Sequence, residues 1–360
     1  MFKFTINVND HRVIKLILFS CWQHNFILFM LCVYQDSNYN INNYQCSYRI
    51  KYVFFVSVFC ILVSFLSFGQ NKIVKHHIAT LNDSDIKVNR PAYKRNHPKV
   101  LFDEAHFNVH TAGGRSRAFA DLISNDGYLV FPGKEKFTPG MLKKFNLLVI
   151  VSALGADRET DPAGAGNPAF TEYECDVVKD WVRRGGSLLL ITDHEPTGAA
   201  VQNLAKRFNV EMSNRTTMDS SAANHMKGCD GCIHFSRANE LLVEHPVTRG
   251  RDTSEWIRAV ENGVGQSLKG PLKSTAFLKL SETSYEMLSG TKKVSAAGRA
   301  QGIAFKFGKG RVVVLAEAAM LAGQGPGPGQ KFRRWWLDHP GIDNRQLALN
   351  IMHWLSGLLN

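Results

Sequence analysis

Residues 171–192 read TEYECDVVKDWVRRGGSLLLIT, and this stretch decides the fold. Thr171, followed three residues later by Glu174, is a capping box, in which each side chain satisfies a backbone N–H at the start of a helix. Val177, Val178, Trp181 and Val182 recur at helical spacing and give that helix one apolar side. Gly185-Gly186 ends it, because glycine adopts the left-handed conformation just past a helix without a Cβ clash. The run 187–192 that follows, SLLLIT, shows no polar alternation, as expected of a strand buried on both faces.

The same alternation of helix and greasy strand extends outward. Residues 100–102 (VLF) form a short strand ending at Asp103. Gly113-Gly114 opens a helix reaching about Asn125, with Phe119, Leu122 and Ile123 inward, and Asp126-Gly127 stops it before a second strand at 128–131. Thr138-Pro139 reads as an N-cap with proline at the first helical position, and 147–151 (LLVIV) is a third, wholly apolar strand. Beyond the fourth strand, 198–208 is a helix facing Val201, Leu204, Ala205 and Phe208 inward. Residues 211–300 are less regular. Residues 301–307 alternate, Gly308-Lys309-Gly310 turns, and 311–316 (RVVVLA) returns, which predicts a late antiparallel hairpin. Residues 323–330 form a loop rich in glycine and proline. Asp343 or Asn344 caps a last helix with Leu347, Ile351, Trp354, Leu355 and Leu358 inward. Such a chain predicts an α/β fold: a mostly parallel sheet, doubly wound, with helices on both faces.

Ahead of this domain, 52–68 is an uncharged apolar run preceded by Arg49 and Lys51, and Ser67-Phe68-Gly69 fits the small-x-small rule for signal-peptidase cleavage. A cleaved signal peptide at 51–69 is the preferred reading and a retained membrane anchor the alternative, so membrane contact is expected only through 52–68 if uncleaved. Either places the domain outside the cytoplasm, in the periplasm or cell envelope. Residues 1–50, rich in Asn, Ile, Tyr and Phe, read as non-native or disordered upstream sequence, against a second span around 13–33 that Lys15 and Gln23-His24-Asn25 interrupt. Residues 70–97 read as a polar, basic linker to the domain at 98–360. The whole chain carries 43 Lys and Arg against 31 Asp and Glu. These charges are scattered in short runs, without the stripe or module that nucleic-acid binding needs.

Ligands of open α/β sheets bind beyond the carboxyl ends of the strands. The first strand ends in DEAHFNVH, which supplies Asp103, Glu104, His106, Asn108 and His110. The third ends in Ser152-Ala153-Leu154-Gly155, and the fourth in Asp193-His194-Glu195-Pro196. The late strand ends at Glu317 with Gln324 beyond, and Asn344 and Arg345 precede the last helix. Asp103, His106, Asp193 and His194 are the catalytic candidates, suited to acid–base work or to holding a divalent cation. Glu104, Asn108, His110, Glu195, Glu317, Gln324, Asn344 and Arg345 are the ligand-binding candidates. A polar pocket without catalysis and a purely structural use of the same side chains remain open beside these roles. The spacing His225-x3-Cys229-x2-Cys232-x-His234 suits a zinc site, a local disulfide or unengaged thiols. Nucleophile-elbow, Walker and dinucleotide-loop motifs are absent from the sequence.

The pieces DEAHFN (103–108), ITDHEP (191–196), GKGRVVVLAEAAML (308–321) and DNRQLALNIMHWLSG (343–357) resemble a bacterial group within the class I glutamine amidotransferase-like superfamily, related to the domain of intraflagellar-transport and gliding-associated proteins. The resemblance spans about residues 98–358. It implies a flavodoxin-like three-layer sandwich and no particular reaction. Amidotransferases of that superfamily carry a nucleophilic cysteine at the turn after the strand matching 187–192, where this chain has Asp193-His194-Glu195-Pro196. Thiol-dependent glutamine hydrolysis is therefore not expected. Two functions remain: an envelope module binding a polar small molecule or glycan, and a hydrolase using the Asp/His cluster with or without a divalent metal. A scaffold role in an envelope complex is a third.

Overall fold

The computed structural model describes residues 86–227, 229–288, 292–323, 337 and 339–360, together with the backbone of three strands before residue 34. The chain divides into two compact units, Met1–Lys75 and His76–Asn360. In the first, β1 (Phe2–Val8), β2 (Arg12–Ser20) and β3 (Ile27–Val33) form an antiparallel meander, with Phe2 opposite Leu18 and Ile14 opposite Val33. The apolar stretch 52–68, the cleavage motif at 67–69, residues 70–85 and Gln324 with the loop to 330 lie outside the described residues. Among the described residues, no helix is long and apolar enough to cross a membrane.

The second unit begins its alternation with β4 (Lys99–Asp103), α1 (Arg117–Asn125), β5 (Leu129–Gly133), α2 (Pro139–Leu142), β6 (Leu147–Val151), α3 (Glu172–Arg183), β7 (Ser187–Ile191) and α4 (Thr197–Lys206). The irregular middle supplies short strands: β8 (Glu211–Met212), β9 (Thr217–Asp219), β10 (His225–Met226), β11 (Cys229–Ser236), β12 (Ala259–Glu261), β13 (Leu268–Lys269), β14 (Thr275–Lys279), β15 (Ser284–Met287) and β16 (Lys293–Ser295), with the helical turn α5 (Pro246–Arg249) among them. The chain closes with β17 (Ala300–Phe307), β18 (Gly310–Leu315) and α6 (Asn344–Leu355). The main sheet runs β5-β4-β6-β7-β18-β17-β13-β8, with β14 also on β17. Its first five strands are parallel, and β17, β13, β8 and β14 join antiparallel.

Alternate residues of the parallel strands enter different cores. Val100, Phe102, Val149, Leu189 and Val313 pack with Phe119 and Leu122 of α1 and with Leu347, Ile351 and Trp354 of α6. Leu101, Leu148, Ile150, Leu188 and Val312 face the other way, onto Val178 and Val182 of α3 and Val201 and Leu204 of α4. Each such side chain contributes about 1.5–3 kcal/mol when fully buried, which is why the middles of β4, β6, β7 and β18 are apolar on both sides.

Several boundaries differ from the sequence reading. Helix α1 starts at Arg117 rather than at Gly113-Gly114, because the Thr111 carbonyl accepts from the N–H groups of Gly114 (3.1 Å) and Ser116 (3.2 Å) and winds that stretch into turns. Neither Asp343 nor Asn344 caps α6 with its side chain. The Asp343 carboxylate instead accepts from the backbone N–H of Arg258 at 2.7 Å and Ala259 at 3.3 Å. Leu358, expected inside, is exposed, since the chain turns at Gly357 with φ +85°.

Residues 86–97 belong to the stretch that reads as a linker, and they lie against the domain. The Ala92 N–H donates to Asp126 Oδ1 (2.8 Å), the Tyr93 N–H to the Asp126 carbonyl (3.1 Å), and the Tyr93 hydroxyl to Ser356 Oγ (2.8 Å). Gly127 makes this docking feasible: its φ is +100°, and a Cβ there would sit 2.0 Å from the Tyr93 carbonyl oxygen. Gly127→Ala is expected to destabilise the domain by more than about 1–2 kcal/mol and to open 86–97 to protease. A melting temperature and a cleavage pattern unchanged from wild type would contradict this.

Candidate functional site

The loop after β4 folds over a buried ionic knot. His106 Nδ1 donates to both Asp103 oxygens (2.8 and 3.0 Å), and Nε2 donates to Glu174 Oε1 (3.0 Å). All three residues are at most 3% exposed. With both ring nitrogens facing carboxylates, the ring is an imidazolium. Burial pulls its pKa down, but the two carboxylates outweigh that, and the net direction is up. The rings of Phe137 and Phe170 flank it at 4.8 and 4.6 Å. Glu174 does two jobs: Oε1 holds His106, while Oε2 accepts from the N–H (3.0 Å) and hydroxyl (2.8 Å) of Thr171 and closes the capping box of α3. Asn108 completes the knot, donating to Asp103 Oδ2 (3.0 Å) and accepting from the His106 N–H (3.0 Å). Asp103, His106 and Asn108, read as catalytic or ligand-binding candidates, thus have their polar atoms turned on one another. They brace the loop and leave His106 no nitrogen for a substrate or metal.

One strand over, Ser152 follows β6 at φ +47°, is 1% exposed, and has no hydrogen-bond partner for its hydroxyl. Its carbonyl accepts from the Val109 N–H (3.0 Å), and its own N–H donates to the Ile191 carbonyl (2.9 Å), which ties the loops after β4, β6 and β7 together.

The chemically open part of the edge lies at β7 and β18. These strands pair in parallel with Ile191 opposite Leu315, so Asp193 and Glu317, each two residues further, stand side by side. Burial, followed by the charge of Asp193, pushes Glu317 up to about 8, against the N–H groups of Met320 and Ala319 that pull it down. Those donors lie 2.8 and 2.7 Å from its two oxygens. Burial also raises Asp193, while His194, Arg115 and Arg158 favour its ionised form. The Asp193 side chain is about a quarter exposed (24%). Its backbone is pinned: its N–H donates to Thr197 Oγ1 (2.7 Å) and its carbonyl accepts from Gln266 Nε2 (2.8 Å). The His194 ring lies 3.8 Å from Asp193 Oδ1 and is 43% exposed. Of the pair, Asp193 therefore loses its proton first and Glu317 keeps its own up to about 8, with two guanidinium groups in electrostatic reach of Asp193. His110 is buried and held neutral, its pKa lowered to about 3 by burial and by Arg115.

The other candidates scatter. Glu104 Oε1 accepts from the Ala112 N–H (2.9 Å). Glu195 is exposed. Asn344 is buried, donating to the Glu261 carbonyl (2.7 Å) and accepting from the Glu261 N–H (3.0 Å). Arg345 donates to the Lys87 carbonyl, and the two residues line a separate recess. Cys229 and Cys232 form a disulfide, so their thiols are not metal ligands. Nearby His225 Nε2 lies 2.7 Å from the Asp219 carbonyl oxygen, and His234 lies 3.0 Å from Glu261 Oε1. Among the described residues, no three His, Cys, Asp or Glu side chains group closely enough to hold a metal ion. Burial pushes the Cys175 thiol up to about 12, so it is no nucleophile.

Sequence reasoning missed Arg115, Arg158, Ser152 and the second role of Glu174. Arg115 follows the Gly113-Gly114 pair that reads as a helix start, and Glu174 is already explained by its cap. Only a positive φ and a buried hydroxyl single out Ser152, and neither is visible in the residue letters.

No protein-family model matches the sequence, and no curated protein does. Among solved structures, the chain is similar to the mmIFT52 N-terminal domain, at 14% identity and a TM-score of 0.51, over 72% of this chain and 97% of that one. It is also similar to the cytoplasmic protein STM1381 from Salmonella typhimurium LT2 (13% identity, TM-score 0.40, 71% of this chain and 99% of that one) and to a ThuA-like protein from Parabacteroides merdae (13%, 0.37, 72% and 90%). At such identities the likeness is one of fold alone.

Two outcomes follow from this geometry. Ser152→Gly relieves a left-handed φ and removes an unpartnered hydroxyl, so it is expected to stabilise the domain by about 1 kcal/mol, read as a melting temperature about 2–4 °C higher. A lower melting temperature would mean that the hydroxyl is satisfied. The His106 knot also sets a pH window. A raised imidazole pKa stabilises fully below about 6.5 and is lost as pH climbs through the folded value. Glu174, whose pKa is lowered because its hydrogen bonds outweigh burial, stabilises above about 4.3 and is lost in acid. Glu174→Gln keeps an acceptor but removes a charge. It should cost about 1–3 kcal/mol at pH 6 and move the alkaline loss to lower pH in urea titrations. An unchanged pH profile would count against the imidazolium.

Proposed function

We propose that the carboxyl edge at β7 and β18 binds a polar, hydroxyl-rich ligand, of which a glycan unit is the fitting class, on a flavodoxin-like, glutamine amidotransferase-like scaffold that works without a thiol. The observation that carries this reading is the Asp193–Glu317 pair set abreast by the β7–β18 register, with Asp193 the first of the two to ionise and Arg115 and Arg158 in its electrostatic reach. An ionised carboxylate accepts from sugar hydroxyls and guanidinium groups donate to them, so the set suits a ligand presenting both donors and acceptors. Helices on both faces of a sheet whose parallel part runs β5-β4-β6-β7-β18 support the scaffold. The apolar run 52–68 with Ser67-Phe68-Gly69 supports export to the cell envelope.

The split protonation of the pair favours one second reading, hydrolysis with Glu317 as acid and Asp193 as base. Binding is preferred because both Glu317 oxygens already accept backbone N–H groups. The test is thermal shift and calorimetry of the full chain against a panel of neutral and acidic disaccharides. A ligand at about 100 times its Kd adds about 2.7 kcal/mol of stability by mass action. Asp193→Asn is expected to weaken binding at least about tenfold, or about 1.4 kcal/mol. Absence of any shift across the panel, or equal binding by Asp193→Asn, would contradict the site. Release of reducing sugar that disappears in Asp193→Asn would replace binding by hydrolysis.

A further inference from the structure

Beside Asp193 stands a guanidinium group that has no acceptor. Arg115 lies in the turn 111–116 ahead of α1, where the Thr111 carbonyl accepts from the N–H groups of Gly114 (3.1 Å) and Ser116 (3.2 Å). It is half-buried. Among the described residues its side chain makes no hydrogen bond and no ion pair, and none of its nitrogens is sealed from solvent. A guanidinium carries five N–H donors, and partial burial costs free energy until acceptors meet them. Burial and the charge of Arg158 hold the Arg115 pKa below its usual value, while Asp193 pulls it up.

Packing brings the loops that carry these groups together. Val109, Leu154, Ala165 and Ala200 form a small apolar cluster that joins the loops after β4 and β6 to α4. The Leu154 N–H donates to the His106 carbonyl (2.9 Å), and the Gly155 N–H to the Ala165 carbonyl (3.0 Å), which fixes both ends of the loop that holds Arg158. Gly166 then lies against the turn after β7, since a Cβ there would sit 3.5 Å from Pro196 Cβ. Arg115, Arg158 and Asp193 thus come from three successive strand ends of one edge. Asp193 Oδ1 already accepts from the His194 N–H (2.8 Å). Two acids near Arg158 in the chain serve backbone: Asp157 Oδ1 accepts from the Glu159 N–H (2.8 Å) and Asp161 Oδ1 from the Gly164 N–H (2.9 Å).

We propose that Arg115 and Arg158 form an acid subsite of this edge, which takes the carboxylate of a hexuronate unit while Asp193 accepts from the sugar's hydroxyls. The inference rests on the binding reading above and narrows its ligand from glycans in general to acidic ones. Arg115 is the anchor, because its donors are already partly desolvated and still without acceptors. Arg158 is exposed and turns onto the same group from the opposite loop. The two coplanar oxygens of a carboxylate match the fork of a guanidinium. A phosphate ester suits the place less, because its second negative charge stands beside Asp193.

The experiment is calorimetry of the full chain at constant ionic strength with digalacturonate and with galactobiose, the same disaccharide bearing hydroxymethyl groups in place of carboxylates. Digalacturonate is expected to bind at least about tenfold tighter. Arg115→Gln and Arg158→Gln should each erase most of that preference, whereas Lys143→Gln, with the same change of net charge, keeps it. Arg158 lies on the surface, so Arg158→Gln tests the subsite even where Arg115→Gln fails to fold. Equal binding of the two disaccharides, with galactobiose binding lost in Asp193→Asn, overturns the acid subsite and leaves the binding edge standing. A preference for digalacturonate that survives both arginine variants, or that falls equally in Lys143→Gln, also overturns it. Tighter binding of galactose 6-phosphate than of galacturonate overturns the choice of a carboxylate. Absence of binding by either disaccharide sinks the edge itself and the subsite with it.

Discussion

The carboxyl edge of this sheet depends on one buried cation. His106, gripped by Asp103 at the end of β4 and by Glu174 from α3, joins the first parallel strand to a helix that packs on the sheet. Removing one partner from a buried ion pair leaves an uncompensated charge and typically costs about 3–5 kcal/mol. The knot also sets the path of the loop that reaches Val109 and, through it, Ser152. It consumes the residues that look most catalytic in the sequence. A histidine three residues after an aspartate at a strand end has the letters of an acid–base centre, but here its geometry is that of a brace.

With that end occupied, the perturbed carboxyls of the edge lie across the sheet, at Asp193 and Glu317. Their adjacency follows from register alone, since parallel pairing of Ile191 with Leu315 sets the two following positions abreast. Two carboxyls so placed cannot both ionise easily, and burial decides that Glu317 keeps the proton. The surrounding groups, Arg115, Arg158 and His194, favour charge on Asp193. The turn after β7 thus presents a carboxylate in a cationic setting.

The layered α/β architecture was legible because it rests on local rules. Apolar runs on doubly covered strands, the Thr171–Glu174 box and the Gly185 stop each act within a few residues. The β17–β18 hairpin was legible for the same reason. What failed to show depends on distance in the chain. The link from His106 to Glu174 spans 68 residues, and the contact of Arg345 with the Lys87 carbonyl spans 258. The side chain of Asp343 found a better use on a neighbouring strand than at its own helix. The two cysteines were ambiguous by spacing, and their pairing as a disulfide is a tertiary outcome.

The central claim is that Asp193 and Glu317 share one proton near neutral pH. Carboxyl carbon chemical shifts of labelled glutamate, followed by NMR from pH 4 to 10 in wild type and in Asp193→Asn, test it directly. The account predicts a Glu317 titration near 8 that moves downward when Asp193 loses its charge. A Glu317 that titrates in the ordinary carboxylate range, or that ignores Asp193→Asn, would contradict it.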